Sequence, residues 1–180
     1  MDKVSQRKAL RAIVANIPDK SKQSERIANI LQDTPLPSGS ICIYNSLPSE
    51  VDTKVIIEYF CKSRQVYLPV VDGDNILLVN VDKNTEYQAG SWGILEPLGE
   101  RLLPNDVRPA VTVTPLLGVD KKLNRLGKGK GYYDRYFASV DTFKVGLAFE
   151  EQILDEVICD EWDKPLDLVI TPHSIIGKES

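Results

Sequence analysis

The sequence predicts an α/β protein: one domain over residues 1–180, Rossmann-like, with a mostly parallel sheet flanked by helices and an N-terminal helical pair over residues 1–34. Three observations predict it. Short apolar runs rich in β-branched residues recur along the chain, and helical patterns separate most of them. The 180 residues, 42% hydrophobic and 27% charged, suit one compact core. A glycine-rich cationic segment lies between a strand pattern and a helix pattern, where sheets of this class gather ligands beyond their carboxyl ends.

The first helix is expected over about Val4–Ile17, with Leu10, Ile13, Val14 and Ile17 on one face. Pro18-Asp19 ends it. A second helix follows from about Ser21 to Gln32 with Ile27, Ile30 and Leu31 inward, and Pro35–Gly39 connects onward. Ser40–Tyr44 reads as a buried strand, and Asp52–Ser63 as a helix turning Val55, Ile56, Tyr59 and Phe60 to the sheet. Further strands are expected at Gln65–Pro69, Asn75–Val81, Ala110–Thr114, Lys144–Phe149 and Leu166–Thr171. Helices are expected after Gly131 and, briefly, near Glu151. No internal repeat or low-complexity tract interrupts the series.

Composition narrows the function classes. A net charge of −4 argues against broad nucleic-acid or anionic-membrane binding. The charge is uneven, however: 121–135 holds six basic residues and one acid, whereas 150–163 holds seven acids and no base. A local positive site in an acidic protein suits a small polyanion, and the acidic stretch reads as a solvated helix face. Cys42, Cys61 and Cys159 lie far apart, which predicts neither a disulfide framework nor a zinc site and points to the cytoplasm. No apolar run has the length of a membrane span. The single histidine, His173, has no nucleophile motif beside it, so catalysis is expected from cations, carboxylates, metal and positioning.

The segment Arg125–Arg135, R-L-G-K-G-K-G-Y-Y-D-R, carries the most information. Gly127, Gly129 and Gly131 free the backbone to turn sharply, while Lys128, Lys130 and Arg125 surround the turn with cations. Tyr132 then opens a helix whose free N–H groups favour anions. Together these describe a phosphate cradle. The string departs from both the Walker A loop and the dinucleotide G-x-G-x-x-G, and a solvated flexible turn is the plain alternative. Asp134 also has a structural reading, as a carboxylate stabilising the first turn of a helix.

Other candidates are weaker one by one. Arg7 and Arg11, four apart, project from a common side of the first helix, a spacing that by itself more often marks a solvated basic face. Trp92, in a turn-rich loop, suits stacking on a flat heterocycle or packing onto the core. Tyr132 and Tyr133 pose the same choice, with at most one expected to face the core. Asp163 beside Asp134 and a triphosphate becomes a magnesium partner, since that ion takes one or two carboxylates plus phosphate oxygens. Asp52 or Thr53 suits a helix cap, whereas Glu50 has no evident structural duty.

Taken in order, these pieces resemble the 5-formyltetrahydrofolate cyclo-ligase family over nearly the whole chain. The resemblance rests on Arg7-Lys8-Ala9-Leu10-Arg11, Glu50-Val51-Asp52-Thr53, Gly93–Pro97, the R-L-G-K-G-K-G-Y-Y-D-R loop, and Asp163 with Leu166-Asp167 before the last strand. It implies ATP- and magnesium-dependent closure of 5-formyltetrahydrofolate to the 5,10-methenyl form, with ADP and phosphate released. It implies nucleotide contacts at Arg7, Arg11 and Arg125, Leu126, Gly127, Lys128, Gly129, Lys130, Gly131, Tyr132 and Tyr133. Lys130, Arg125 and Tyr133 would be catalytic. Reduced folate would meet Glu50, Trp92, Tyr132 and Tyr133, and magnesium would meet Asp134 and Asp163. A monomer is the expected state.

Arg7 stands where the family usually has lysine. Leu123 and Leu116 stand where it commonly has glycine, and leucine would be strained there if the backbone takes φ > 0. Two alternatives follow. One is a nucleotide-binding relative that has lost folate turnover and serves an accessory role; the other is a different phosphotransfer enzyme on a similar fold.

Overall fold

The computed structural model describes residues 1–178, and the side chain of Trp92 is outside the described set. Its elements in chain order are α1 (Lys3–Ala15), α2 (Lys20–Asp33), β1 (Ile41–Ile43), α3 (Lys54–Phe60), β2 (Val66–Asp72) and β3 (Asn75–Val81). Next come β4 (Tyr87–Ala89), β5 (Leu95–Pro97), α4 (Pro104–Val107), β6 (Val111–Thr114), β7 (Gly118–Asp120) and β8 (Arg125–Leu126). The chain closes with α5 (Tyr132–Ser139), β9 (Phe143–Leu147), β10 (Ile153–Leu154), β11 (Leu168–Ile170) and β12 (Ile175–Gly177).

The main sheet has seven strands in the order β12-β11-β9-β6-β1-β2-β3. Its five inner strands are parallel, and the edge strands β12 and β3 are antiparallel. The order reverses between β1 and β6, which pair directly in the register Ile41↔Val111 and Ile43↔Val113. Alternation along the short strands covers both faces. Ile41, Ile43, Val66, Leu68, Val111 and Val113 join the cluster that also holds Leu10, Val14, Ile27, Leu31, Ile56 and Phe60, so the helical pair and α3 cover that face. Cys42, Tyr67 and Leu78 turn the other way, against Tyr136, Phe137 and Val140 of the α5 region. Thr112 also faces α5 and is satisfied by the hydroxyls of Tyr136 (2.9 Å) and Thr142 (3.0 Å).

The Asp2 carboxylate starts α1 by accepting from Ser5 N–H at 2.8 Å. Leu10, Val14 and Ile17 are buried as expected, but Ile13 is 44% exposed. In α3 the expected inward set is likewise halved: Ile56 and Phe60 are buried, while Val55 and Tyr59 are 56% and 36% exposed. A seven-residue helix buries a single i, i+4 stripe, and residues one position earlier lie about 100° around the cylinder. Thr53 occupies the N-cap position of α3 without a side-chain cap bond, and both it and Asp52 make structural contacts. Asp52 accepts from Lys54 N–H (2.9 Å), and the Thr53 hydroxyl donates to Tyr44 O (2.7 Å).

Several pieces were absent from the sequence reading: the hairpin β4–β5, the small sheet β10-β7-β8, the edge strand β12 and the one-turn α4. The acidic stretch also differs, forming a short 3-10 turn at Glu150–Gln152 rather than a helix face. Two buried polar groups organise the small sheet. The Asp120 carboxylate accepts from the N–H groups of Lys122, Asn124 and Val157 (3.0, 3.0 and 2.9 Å). The Gln152 amide donates to the carbonyls of Leu116 and Leu117 and accepts from Phe149 N–H.

Candidate active site

A cleft of about 620 Å³ opens beyond the carboxyl ends of the strands where the sheet order reverses. Tyr44 and Asn45, which follow β1, and Pro115 and Leu116, which follow β6, form its floor. This is the crevice that an open α/β sheet offers a ligand. The β4–β5 hairpin forms one wall, tied down where the Asn45 amide donates to Leu95 O at 2.8 Å.

The glycine segment runs along the cleft from Leu126 to Gly131 and into α5. Gly129 (φ +107) and Gly131 (φ +72) take backbone conformations that favour glycine, and Gly131 is the residue from which α5 starts. A Cβ on Gly131 would sit 2.8 Å from Arg135 Nη1. Leu126 is buried in the main core and anchors the start of the loop. Helix α1 holds the loop from the other side: Arg7 Nε donates to Gly127 O (2.9 Å) and Arg11 Nη2 to Lys128 O (3.1 Å). The two arginines therefore both hold the loop, Arg7 from a half-buried position and Arg11 from an exposed one.

Arg125 is the most deeply set cation, with its side chain 5% exposed. Its Nη1 donates to Pro115 O (3.1 Å), its Nη2 reaches Asp134 Oδ1 (3.4 Å), and its guanidinium lies 5.7 Å from the centre of the Tyr133 ring. Its Nε is buried without a hydrogen-bond partner among the described residues. An orphaned cationic donor is costly, and a bound anion would satisfy it. Of the loop lysines, Lys128 pairs with Glu50 Oε2 at 3.1 Å, while Lys130 is exposed along the cleft.

Glu50 has a structural duty after all. Its Oε1 accepts from Leu47 N–H (2.7 Å), and only 8% of its side chain is exposed, with the second oxygen turned to Lys128. Asp134 and Asp163 both line the cleft. Asp134 leans on Arg125, whereas Asp163 accepts from Lys3 Nζ and from Asp160 N–H (2.8 Å). Among the described residues no group of three or more His, Cys, Asp or Glu side chains could hold a metal. Two cleft carboxylates are the number that magnesium takes beside phosphate and water, and here each is engaged by a cation, Asp134 by Arg125 and Asp163 by Lys3.

Both tyrosines line the cleft and both are half-buried, so the expected division between core and ligand does not occur. Tyr132 donates to Gly73 O (3.2 Å) across to the β2–β3 turn, with the Arg135 guanidinium 5.3 Å from its ring centre. Tyr133 packs against Tyr136 and Phe137. Burial, then the nearby Cys42 and Glu50, push its hydroxyl well above the ordinary phenol range. That group is therefore neutral at physiological pH, and its O–H is available to donate a hydrogen bond rather than to act as a base. Trp92 sits in the 3-10 turn Ser91–Gly93, with its side chain outside the described residues. His173 is exposed and lines no part of the cleft.

Sequence reading missed a number of cleft residues, among them Asn45, Lys3 and Trp162. Trp162 was legible as an aromatic beside Asp163, but its exposure was not. Of the two leucines in place of family glycines, Leu123 takes φ +70 and Leu116 does not have positive φ. Leu123 is buried with Val119, Ala148 and Leu166, outside the cleft.

Comparison with known proteins identifies the family and the fold. The profile of the 5-formyltetrahydrofolate cyclo-ligase family matches residues 2–172. A probable 5-formyltetrahydrofolate cyclo-ligase of Schizosaccharomyces pombe is 31% identical over 94% of this chain and 95% of its own length. The Escherichia coli 5-formyltetrahydrofolate cyclo-ligase is 33% identical over 76% and 79%. Among solved structures, the Aquifex aeolicus 5,10-methenyltetrahydrofolate synthetase superposes with a TM-score of 0.85 at 31% identity, covering 98% of this chain and 93% of that one. The same-named Mycoplasma pneumoniae protein gives 0.75 at 28% identity, covering 96% and 100%. This chain belongs to the 5-formyltetrahydrofolate cyclo-ligase family.

Proposed function

We propose that this protein closes 5-formyltetrahydrofolate to 5,10-methenyltetrahydrofolate at the expense of ATP, in the cytoplasm and as a monomer. The formyl oxygen attacks the terminal phosphorus, the bond to ADP breaks, and the 5-nitrogen lone pair gives an iminium phosphate. The 10-nitrogen then attacks the formyl carbon, loses its proton, and the carbon–oxygen bond breaks to release phosphate. An amide oxygen leaves poorly, and phosphorylation makes it leave readily. Such chemistry asks for alignment and charge neutralisation more than for an acid–base pair, which suits a cleft that His173 does not line.

The observation that carries this reading is the ion pair between Lys128 and Glu50, 3.1 Å apart. It brings the glycine loop and the expected folate contact to one point, so a nucleotide phosphate on one and a formyl group near the other would be adjacent. On this reading Arg7, Arg11, Arg125 and residues Leu126 to Tyr133 receive the nucleotide, and the buried Arg125 Nε finds its anion there. Lys130 faces the transferred phosphate, Tyr133 donates from its neutral hydroxyl, and Glu50, Trp92 and Tyr132 receive the folate. Asp134 and Asp163 would hold magnesium, which when bound supplies charge neutralisation on the phosphate oxygens.

The accessory, non-catalytic reading drew on Leu116 and Leu123. Leu123 does strain the backbone, yet it does so inside an apolar cluster away from the cleft, and Leu116 carries no positive φ. The catalytic reading is therefore the better supported. Mixing the protein with magnesium-ATP and 5-formyltetrahydrofolate should develop the near-ultraviolet absorbance of the methenyl product. Measured ATP binding with no absorbance change would favour the accessory reading instead.

A further inference from the structure

The turn from Asp160 to Asp163 is pinned from several sides. Asp163 N–H donates to Asp160 O (3.1 Å), and Asp160 N–H donates back to the Asp163 carboxylate (2.8 Å). Lys3 of α1 bonds both carboxylates, at 2.6 Å to Asp160. Just upstream, Ile158 N–H donates to the Gln6 side chain (3.1 Å) and Val157 N–H to the buried Asp120 carboxylate (2.9 Å). This firm support presents Trp162 on the cleft wall with 62% of its surface exposed. A large apolar ring fixed in water gains nothing from the fold itself, and a flat ring laid on it would recover that surface.

Two heterocycles enter the proposed reaction, and position separates them. The Trp162 face sits on a turn whose Asp160 and Asp163 carboxylates are both ion-paired with Lys3 of α1. It also lies at the α1 end of the cleft, joined through Lys3 to the helix whose Arg7 and Arg11 grip the glycine loop. A nucleotide with its phosphates on that loop can extend its base toward α1. We propose that Trp162 is the stacking platform for the base of the nucleotide, an inference that rests on the ATP reading above. Stacking on a ring face reads the π surface and not the hydrogen-bonding edge, so the site accepts purine nucleotides with little distinction between them.

Trp162 and Trp92 are the two tryptophans of the chain, so a Trp92→Phe variant reports Trp162 emission alone. Titration with magnesium-ATP should quench that emission, and magnesium-tripolyphosphate, which has no base, should not. Separately, Trp162→Ala in the otherwise native chain should raise the calorimetric Kd for ATP about 10-fold. The Kd values for tripolyphosphate and 5-formyltetrahydrofolate should stay unchanged, and Trp162→Phe should recover most of the loss. ATP binding with silent emission, equal quenching by tripolyphosphate, or a loss confined to folate would each overturn the platform alone. Absence of any ATP binding to the native protein would remove the nucleotide reading and the platform with it.

Discussion

Arg7 Nε donates to the carbonyl of Gly127 across 2.9 Å, so a helix that begins at the third residue fixes a loop more than a hundred positions later. Arg11 repeats the contact one turn on, at Lys128 O. The helical pair is thus part of the site's architecture and not an appendage. Its inner face is buried in the main core, and its outer edge holds the loop against the cleft.

Replacing Arg7 with Met keeps the aliphatic stem but removes the charged donor. Hydrogen bonds to charged groups contribute about 1.5–3 kcal/mol. The KM for ATP should rise on the order of 10-fold or more, while the urea midpoint moves little because α1 stays anchored by Leu10 and Val14. Steady-state kinetics with ATP as the varied substrate, beside a urea melt, checks both.

Lys130 has a different duty. It is exposed and does not hold the loop together, so Lys130→Ala should lower kcat by about 100-fold, in the range seen when one charge-stabilising donor is lost. The Kd for 5-formyltetrahydrofolate should change less than about 3-fold by the same comparison. Equal losses in turnover and folate binding would make this lysine a shaper of the cleft.

Leu123 is held at φ +70 yet is almost wholly buried. Relaxing a left-handed non-glycine residue recovers about 1–3 kcal/mol. Deleting a buried leucine side chain costs about 2–5 kcal/mol. The second term is the larger, so Leu123→Gly should destabilise the protein by about 1–3 kcal/mol. Denaturant titration reads this directly, and the ATP KM should not move.

Asp167 reports on acid stability. Burial pushes its carboxyl up, but the Lys144 N–H and the Lys178 and Lys144 ammonium groups outweigh that and hold it below the ordinary carboxylate range. A group with a lowered folded pKa stabilises the fold above its unfolded pKa of about 3.9, and this is lost as pH falls through the folded value. The group is partly solvated, so the effect is less than about 1 kcal/mol. Asp167→Asn should be less stable than the native protein at pH 7, with the gap narrowing as pH falls below about 3.9, as urea titrations at decreasing pH would show.

The parallel core of the sheet and the two N-terminal helices were legible because their apolar periodicities are strong and long. The glycine loop stood out because three alternate glycines among cations precede a helix pattern, and the structure sets that loop along the cleft. What stayed hidden has a common cause. Short strands that lack a continuous apolar run, such as Gly118-Val119-Asp120 of β7 and Arg125-Leu126 of β8, do not register as Ile41–Ile43 and Leu168–Ile170 do, and Asp120 and Gln152, which organise the small sheet, look like ordinary polar residues. Val55 and Tyr59 were misplaced because a seven-residue helix gives too short a stripe to locate its centre. Trp162 was overlooked since its role depends on Lys3, 159 positions away in the chain and adjacent only after folding.

The central claim is that the turn Gly127–Gly131 receives the phosphates of ATP. A crystal structure with magnesium and a non-hydrolysable ATP analogue tests it most directly. The account predicts phosphate oxygens against that turn, with Lys130 and the Arg125 Nε in hydrogen-bonding reach and magnesium beside Asp134 or Asp163. A nucleotide bound elsewhere, with the turn bare, would contradict it.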